Sequence, residues 1–445
     1  MKGTRGKTKN SQAFHRLIKA YAALQKWDII EDKYNQNKSL VESYGPALRD
    51  IGMAICKNNL NNPKKYREGQ SLIKRALKIN PKDVEAFCCL GGTYFRQDKL
   101  KKAFENYQEA YCIDPTNPYA LGNYIACELL MKKDLFIIEC CYLPLKEAIK
   151  RCKKQIEVNT NLPWAFYDLG LFYLYLKNPY ESIKYYAKAI NTSPKAWMIS
   201  SGRSRIDEFI ENDIKVEGLK MISTFLRAGE WILIEERDKK EDILDYMYGN
   251  TFNRVPKQVL ILAGGCGGME QIYFKELNQL KEKLRKYKGT IVSGGTRSGI
   301  ADIAGKLQKD NKNIHTIGYL PHKDSDVVKN LKDKRYKQFR YTTGDDFSIL
   351  ESLTFWQDFL TAGGDPKSVK LIGFNGGRIS ACEYRIALAF GAKVGIIQNS
   401  GREADKLLTD PLWNDYDPKS REYKRDKNLY ALDLKSNDIE EFLKK

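Results

Sequence analysis

Thr290-Ile291-Val292-Ser293-Gly294-Gly295-Thr296-Arg297-Ser298-Gly299 is the stretch on which the fold turns. Its first residues are β-branched or small and read as a strand. The glycine pair cannot continue that strand, and an amphipathic helical pattern opens at Gly299. The same order recurs from Pro256 onward. β-rich runs at Val259–Leu262, Thr290–Ser293, His315–Leu320, Val369–Phe374, Val394–Gln398 and Tyr430–Leu434 alternate with helical patterns. Such alternation predicts a parallel sheet with helices on both faces. A closing helix is expected from Asp438, with Glu441 as an acidic capping partner.

In sheets of this kind ligands sit beyond the carboxyl ends of the strands. Four glycine-bearing loops fall there, each followed by a helical pattern. They are Ala263-Gly264-Gly265-Cys266-Gly267-Gly268, Ser293-Gly294-Gly295-Thr296-Arg297-Ser298-Gly299, Asn375-Gly376-Gly377-Arg378 and Asn399-Ser400-Gly401-Arg402. Glycine lets a backbone approach a phosphate, and a helix N-terminus offers free N–H donors with a partial positive charge. Arg297, Arg378 and Arg402 add planar cationic forks that match phosphate geometry. The familiar labels fail: there is no G-x-x-x-x-G-K-[ST] string, and Gly265-x-Gly267 leads to Glu270 where the dinucleotide fingerprint needs a glycine. A tight strand-to-helix turn is the plain reading of any one loop. Four at equivalent positions favour a nucleotide or ribose-phosphate pocket.

Thr290 to Gly299, with Ile300 after it, resembles the signature loop of the SLOG superfamily. It is most similar to the branch found in the cytosolic part of melastatin-type TRP channels and in prokaryotic relatives. Asn399-Ser400-Gly401-Arg402-Glu403-Ala404-Asp405 is similar to that branch's G-S-G-R-x-A-D stretch, with Asn399 in place of glycine. The resemblance covers about the last two-fifths of the chain. It implies a Rossmann-like parallel α/β sandwich with a pocket for an ADP-ribose-like or cyclic nucleotide. The wider superfamily includes the LOG phosphoribohydrolases, which cleave a base from a nucleoside monophosphate. Their G-G-x-G-T-x-x-E motif is similar to Gly376-Gly377-Arg378-Ile379-Ser380-Ala381-Cys382-Glu383, with Ile379 for a glycine and Ser380 for the threonine. By that resemblance Glu383 is the catalytic candidate of a hydrolase. Its other readings are a ribose-hydroxyl contact and a first-turn helix carboxylate favoured by the dipole. Arg335 and Arg340 are candidate catalytic partners by position only.

Upstream of Pro256 the pattern repeats. Phe87, Leu90, Gly91, Tyr94, Ala103, Tyr107, Ala110 and Pro115 recur 79 positions later as Phe166, Leu169, Gly170, Tyr173, Ser182, Tyr186, Ala189 and Pro194. These residues resemble the tetratricopeptide repeat, a helix–turn–helix unit with a period of about 34 residues. The glycines allow close helix approach, small residues sit where two helices touch, and proline stops the second helix. Leu121 to Ile156 reads as a degenerate repeat with an insertion near Phe136 to Leu145. Leu48, Ile51, Gly52, Gly69, Ala76 and Pro81 read as another, with a longer inter-helix loop. The expectation is four helical hairpins with one helix, Arg16 to Trp27, in front. From Ile206 to Tyr248 the pattern stays helical but leaves the repeat, as a solenoid cap or bridge does.

The organisation expected is therefore α + α/β. A basic tail and leading helix occupy 1–45, a tetratricopeptide-like solenoid 46–200, and bridging helices 201–255. A SLOG-like domain occupies 256–445. A length of 445 residues suits two or three domains. With 42% hydrophobic and 11% aromatic residues the chain is not a disordered one. No apolar run reaches about 18 residues and the start lacks an apolar secretory core, so a soluble, cytoplasmic protein is expected, off the membrane.

The net charge of +19 favours anionic partners, but basic and acidic residues are interspersed, which reads as a solvated surface rather than a nucleic-acid interface. Ten cysteines without a C-x-x-C pair and three histidines argue against a metal site or a histidine triad. Most cysteines read as buried small residues. Asp345 and Asp346 read as caps of a helix from Phe347 to Leu360, and Phe355, Trp356 and Phe359 as its core face.

Three functions compete, with nucleic-acid binding, which would show a steep salt dependence, as a fourth. One is a sensor whose C-terminal domain binds a nucleotide-derived ligand, without a required cofactor, while the repeats bind a protein. A homo-oligomer is a further expectation, by analogy. The second is a phosphoribohydrolase using Glu383. The third is a repeat scaffold with an inert C-terminal domain.

Overall fold

The computed structural model describes residues 2–235, 240, 243, 252, 255–256, 258–265, 271–417 and 422–444. All six β-rich runs become strands of one seven-stranded sheet in which every described pairing is parallel. The strands are β1 Val259–Gly265, β2 Gly289–Ser293, β3 Ile314–Leu320, β4 Gln338–Tyr341, β5 Val369–Asn375, β6 Lys393–Ile397 and β9 Leu429–Leu432. Their order is β4-β3-β2-β1-β5-β6-β9. The chain steps outward from β1 to β4, then returns to the other side of β1 with β5. That reversal between β1 and β5 is a topological switch point, where the two loops leave the sheet in opposite directions and open a crevice.

Two strand elements were not foreseen. β4 is a half-buried edge strand without the alternating apolar pattern that marks a face-buried strand. A separate antiparallel pair, β7 Asn414–Asp417 with β8 Glu422–Arg425, lies in a charged stretch without an apolar strand pattern.

Helices cover both faces. Alternation along β1 puts Leu260 and Leu262 into a core with Leu280 and Leu284, Ile300 and Leu307, and Ile439 and Phe442. These side chains belong to α15 Phe274–Leu284, α16 Gly299–Asp310 and α21 Asp438–Lys444. The remaining helices are α17 Asp326–Leu331, α18 Leu350–Thr361, α19 Arg378–Ala389 and α20 Arg402–Leu408.

The chain separates into two compact units, 1–160 with 212–215, and 161–211 with 216–445. The first is helical: α1 Lys2–Ala23, α2 Trp27–Gln36, α3 Lys38–Val41, α4 Gly45–Asn58, α5 Pro63–Ile79, α6 Val84–Phe95, α7 Leu100–Ile113, α8 Pro118–Lys132, α9 Phe136–Cys140 and α10 Tyr142–Glu157. The leading helix starts earlier than Arg16 and ends at Ala23, and α2 and α3 follow it unforeseen. Hairpins α4–α5 and α6–α7 form as read, and the short α9 is the insertion between α8 and α10. The α4–α5 connection, Asn59–Asn62, is no longer than Arg96–Lys99; the extra residues lengthen the helices instead. Local chemistry sets the starts. Asn62 and Asn117 accept from backbone N–H groups three residues on, each followed by proline at the first helical position.

The second unit begins with four more helices, α11 Trp164–Tyr175, α12 Pro179–Thr192, α13 Ala196–Glu211 and α14 Leu219–Leu233. Asn178 and Pro179 start α12 with the same cap. The hairpin α11–α12 is the second copy of the repeat, and it packs within the same unit as the sheet. α12 runs against α19, and Phe225 of α14 meets Phe390 just past α19 with ring centroids 5.4 Å apart. The end of the bridging stretch, 244–251, lies outside the described residues. Among the described residues no helix is long and apolar enough to cross a membrane.

Candidate functional site

A cavity of about 680 Å³ opens at the switch point. All four glycine-bearing loops reach it. Gly264 and Gly265 come from the end of β1, Ser293, Gly294, Thr296 and Gly299 from the β2 loop, Gly377 and Arg378 from the β5 loop, and Arg402 from the β6 loop. Glu383 lines it from the second turn of α19. Gly267 and Gly268, with Cys266, lie outside the described residues.

The loop shapes follow from a few close approaches. A Cβ on Gly264, whose φ is +145°, would lie 2.0 Å from the Phe374 carbonyl oxygen, so only glycine lets β1 and β5 run this close at their ends. Gly376 has φ +90° and donates its N–H to the Gly265 carbonyl at 3.2 Å, tying the two loops together. Gly377 precedes α19, and no side chain caps that helix. The first N–H groups of α19 therefore remain free of a side-chain acceptor, with the donor character and partial positive charge of a helix start. Gly377 also makes room for a cation. A Cβ there would lie 3.2 Å from an Arg402 guanidinium nitrogen, so Arg402 reaches across the start of α19 while Arg378 occupies its first position. Two arginines and one uncapped helix start thus converge on one end of the cavity.

Ser400 and Gly401 act behind this end. The Ser400 hydroxyl accepts from the Asn375 N–H at 3.0 Å and donates to the Ile397 carbonyl at 2.7 Å, bracing β5 against β6. Gly401, at φ +89°, donates its N–H to the Asp405 carboxylate at 2.9 Å, so the N–H just before α20 is already taken by that helix's own acid. In the β2 loop, Ser293 donates to the Leu262 carbonyl at 2.8 Å, and a Cβ on Gly295 would meet Gly318 of β3 at 3.0 Å.

Arg297 is placed elsewhere. Thr296 bridges Lys332 in antiparallel fashion and the Arg297 N–H donates to the Leu331 carbonyl at 3.0 Å. That pairing turns the exposed Arg297 toward a smaller cavity of about 170 Å³, which it lines with Lys281, Asp302 and Lys306. Arg335 is engaged by Asp333 and Asp302, and Arg340 lies 3.9 Å from the buried Asp358.

The far wall was not read from the sequence. It is built by Tyr319, Phe347, Ser348, Glu351, Ser352 and Phe355. α18 starts at Leu350 rather than Phe347, and its cap is not the aspartates. Asp346 accepts from the neighbouring Phe347 N–H at 2.7 Å, whereas Glu351 accepts from the Ser348 N–H at 2.8 Å and from the Thr342 hydroxyl. Ser348-x-x-Glu351 is a capping signal visible in the sequence; without β4 it had no place on the sheet rim. Phe355, Trp356 and Phe359 pack against one another as a core face, the two phenylalanines stacked and the tryptophan edge-on to both, though Phe355 also borders the cavity.

The two carboxylates in the cavity differ from ordinary ones. Burial, then the Glu351 charge, pushes Glu383 up to about 7, against a hydrogen bond from Ser380 that lowers it. Glu351 is also raised by burial, opposed by its hydroxyl and backbone donors. Near neutral pH the cavity thus holds an anion-attracting end and a carboxyl close to its own titration point.

Residues 165–195 match the model of the tetratricopeptide repeat. No curated protein matches the chain. Among solved structures the chain is similar to a point mutant of the Thermobaculum terrenum O-GlcNAc transferase. The identity is 8% over 88% of this chain and 75% of the other, and the TM-score of 0.17 carries no inference. The repeat region with its tetratricopeptide match supports a protein-interaction scaffold joined to a parallel α/β sheet.

Proposed function

We propose that the chain is a sensor or adaptor. The cavity at the sheet's switch point takes a nucleotide-derived anion of the ADP-ribose or cyclic-nucleotide kind, and the helical repeats engage a protein. The observation that carries this reading is convergence: four separate loops contribute to one cavity, with Arg378 and Arg402 beside the uncapped start of α19. The SLOG-like loops Thr290–Gly299 and Asn399–Asp405 support the same ligand class. The reading needs no cofactor, and self-association through the α/β part belongs to it by analogy. Calorimetry with ADP-ribose, cyclic ADP-ribose and AMP tests it, together with mass spectrometry of small molecules that copurify. The expected result is binding below millimolar for at least one of them, weakened about tenfold or more in Arg402→Ala through loss of a charge-assisted fork. Absence of binding to every nucleotide tried removes the sensor.

A second reading has one observation of its own. Glu383, held up at about 7 inside the cavity, could exchange a proton near neutral pH. As a phosphoribohydrolase the protein would add water across the N-glycosidic bond of a nucleoside monophosphate, releasing base and ribose 5-phosphate. Chromatography of such mixtures decides it: free base that vanishes in Glu383→Gln supports hydrolysis, and no free base from the wild type leaves the sensor.

A further inference from the structure

We infer that Tyr180, on the second helix of the matched repeat, is a positioning residue that holds the Arg378 guanidinium at the cavity wall. The inference rests on the ligand reading above and adds a group to it from outside the sheet and its loops.

Arg378 is the first residue of α19 and lines the cavity. Its guanidinium carbon lies 4.7 Å from the centre of the Tyr180 ring. One turn further along α19, the Cys382 thiol donates to the Tyr180 carbonyl at 3.5 Å. Ring and carbonyl of one residue thus engage the first turns of α19, and both belong to the same compact unit. The rest of α12 secures the placement, because Ile183, Tyr186 and Ala187 are fully or almost fully buried.

The geometry allows two uses of one guanidinium at once. A π ring takes the flat face of the cation, whereas an anion takes the N–H groups in its plane. Contact with the Tyr180 ring, at 4.7 Å from the guanidinium carbon to the ring centre, therefore removes rotamer freedom that anion binding would otherwise have to remove.

The first copy of the repeat has no counterpart. Its residue at the equivalent position is Lys101, exposed on α7. The tyrosine is thus an addition specific to the copy that meets α19.

The test is calorimetry of the full chain with ADP-ribose, or AMP where that binds the wild type more tightly. Tyr180→Leu is expected to weaken binding about tenfold, within the range of a cation–π contact, and Tyr180→Phe, which keeps the ring, about twofold at most. Arg378→Ala weakens binding too, and Tyr180→Leu then adds nothing, because the ring acts only through the guanidinium. Circular dichroism checks folding; should Tyr180→Leu fail it, Tyr180→Met supplies a longer, adaptable apolar side chain without a π face. Tyr180→Leu binding like the wild type while Arg378→Ala is weakened overturns the inference and leaves the pocket standing. Equal losses from Tyr180→Leu in both backgrounds make its role merely structural and also overturn it. A wild type that binds neither probe removes the ligand reading, and the inference with it.

Discussion

The two copies of the repeat, α6–α7 and α11–α12, share a signature 79 residues apart and a packing device, yet they present different outer faces. In both, a glycine on the first helix receives a tyrosine ring from the second. A Cβ on Gly91 would lie 3.0 Å from Tyr107, and one on Gly170 2.6 Å from Tyr186. The second copy adds a hydrogen bond, from the Ser182 hydroxyl to the Gly170 carbonyl at 2.7 Å, where the first has Ala103.

The outer residues then diverge. Lys101, Glu105, Gln108 and Glu109 are exposed on α7; Tyr180, Lys184, Ala187 and Lys188 replace them on α12, where all four are buried or half-buried. One helical hairpin thus serves as a solvated surface, and its near-copy serves as a docking element for an α/β sheet. The glycine–tyrosine joint specifies the hairpin, and the outer face specifies what it touches.

If the joint is common to both, removing it should cost both copies heavily. Tyr107 and Tyr186 are each 1% exposed, so Tyr107→Ala and Tyr186→Ala should each destabilise by about 4 kcal/mol, as large-to-small changes in a closed core do. The consequences should differ. Tyr186→Ala weakens the helix against which α19 packs, and ADP-ribose binding should fall with it. Tyr107→Ala should leave that binding within about twofold of the wild type, a change near the noise of one lost weak contact. Thermal melts with parallel calorimetry check both, and equal loss of binding in the two variants would erase the distinction between the copies.

The outer faces should respond to exchange. Ala187→Gln installs the first copy's residue where the second has a fully buried alanine. An amide forced into that packed site should cost about 2 kcal/mol. The reciprocal change, Gln108→Ala on an exposed position, should stay within about 0.5 kcal/mol. Urea unfolding of the two variants compares them directly, and similar costs would mean that the outer face of α12 is not a packing surface.

The sequence carried this contrast unevenly. The eight-position signature marked both hairpins, because glycine, tyrosine and proline answer to the geometry inside a repeat. The six strands were legible for a related reason: Val259–Leu262 or Val369–Phe374 is apolar enough to be buried on both faces. β4 was not, since a half-buried edge strand needs no such run. Its loss hid Phe347 and Glu351, which stand on the segments that follow β4. The arginines show the same limit at finer grain. Arg378 and Arg402 follow glycine directly and land in the cavity. Arg297 stands in the same kind of loop, two residues past Gly295, but a bridge between Thr296 and Lys332, distant in the chain, turns it away. Local spacing places a loop; tertiary pairing aims its side chains.

The smallest expected effect concerns a single position of α11 and α6. Asp168 occupies the place held by Cys89 in the first copy. Burial pushes the Asp168 carboxyl up to about 7 and the Cys89 thiol up to about 12. Only the aspartate therefore titrates between pH 4 and 7. Its folded-state value exceeds the ordinary 3.8, so the native chain keeps this proton over a range where the unfolded chain has lost it. Stability must then fall as pH rises from about 4 to about 7 and level off above, because the native state binds more protons throughout that window. Asp168→Asn keeps the shape and removes the titration. It should match the wild type near pH 4 and exceed it at pH 8 by an amount on the order of 1 kcal/mol, reduced from the full linkage value because the carboxyl still meets some water. Glu383 contributes a slope of the same sign and remains in the variant, so the pH dependence should flatten without vanishing. Melting curves from pH 4 to 8 measure the difference. A stability gap that stays constant with pH would mean that Asp168 is ionised in the folded chain, and that the second copy tolerates a charge where the first keeps a neutral thiol.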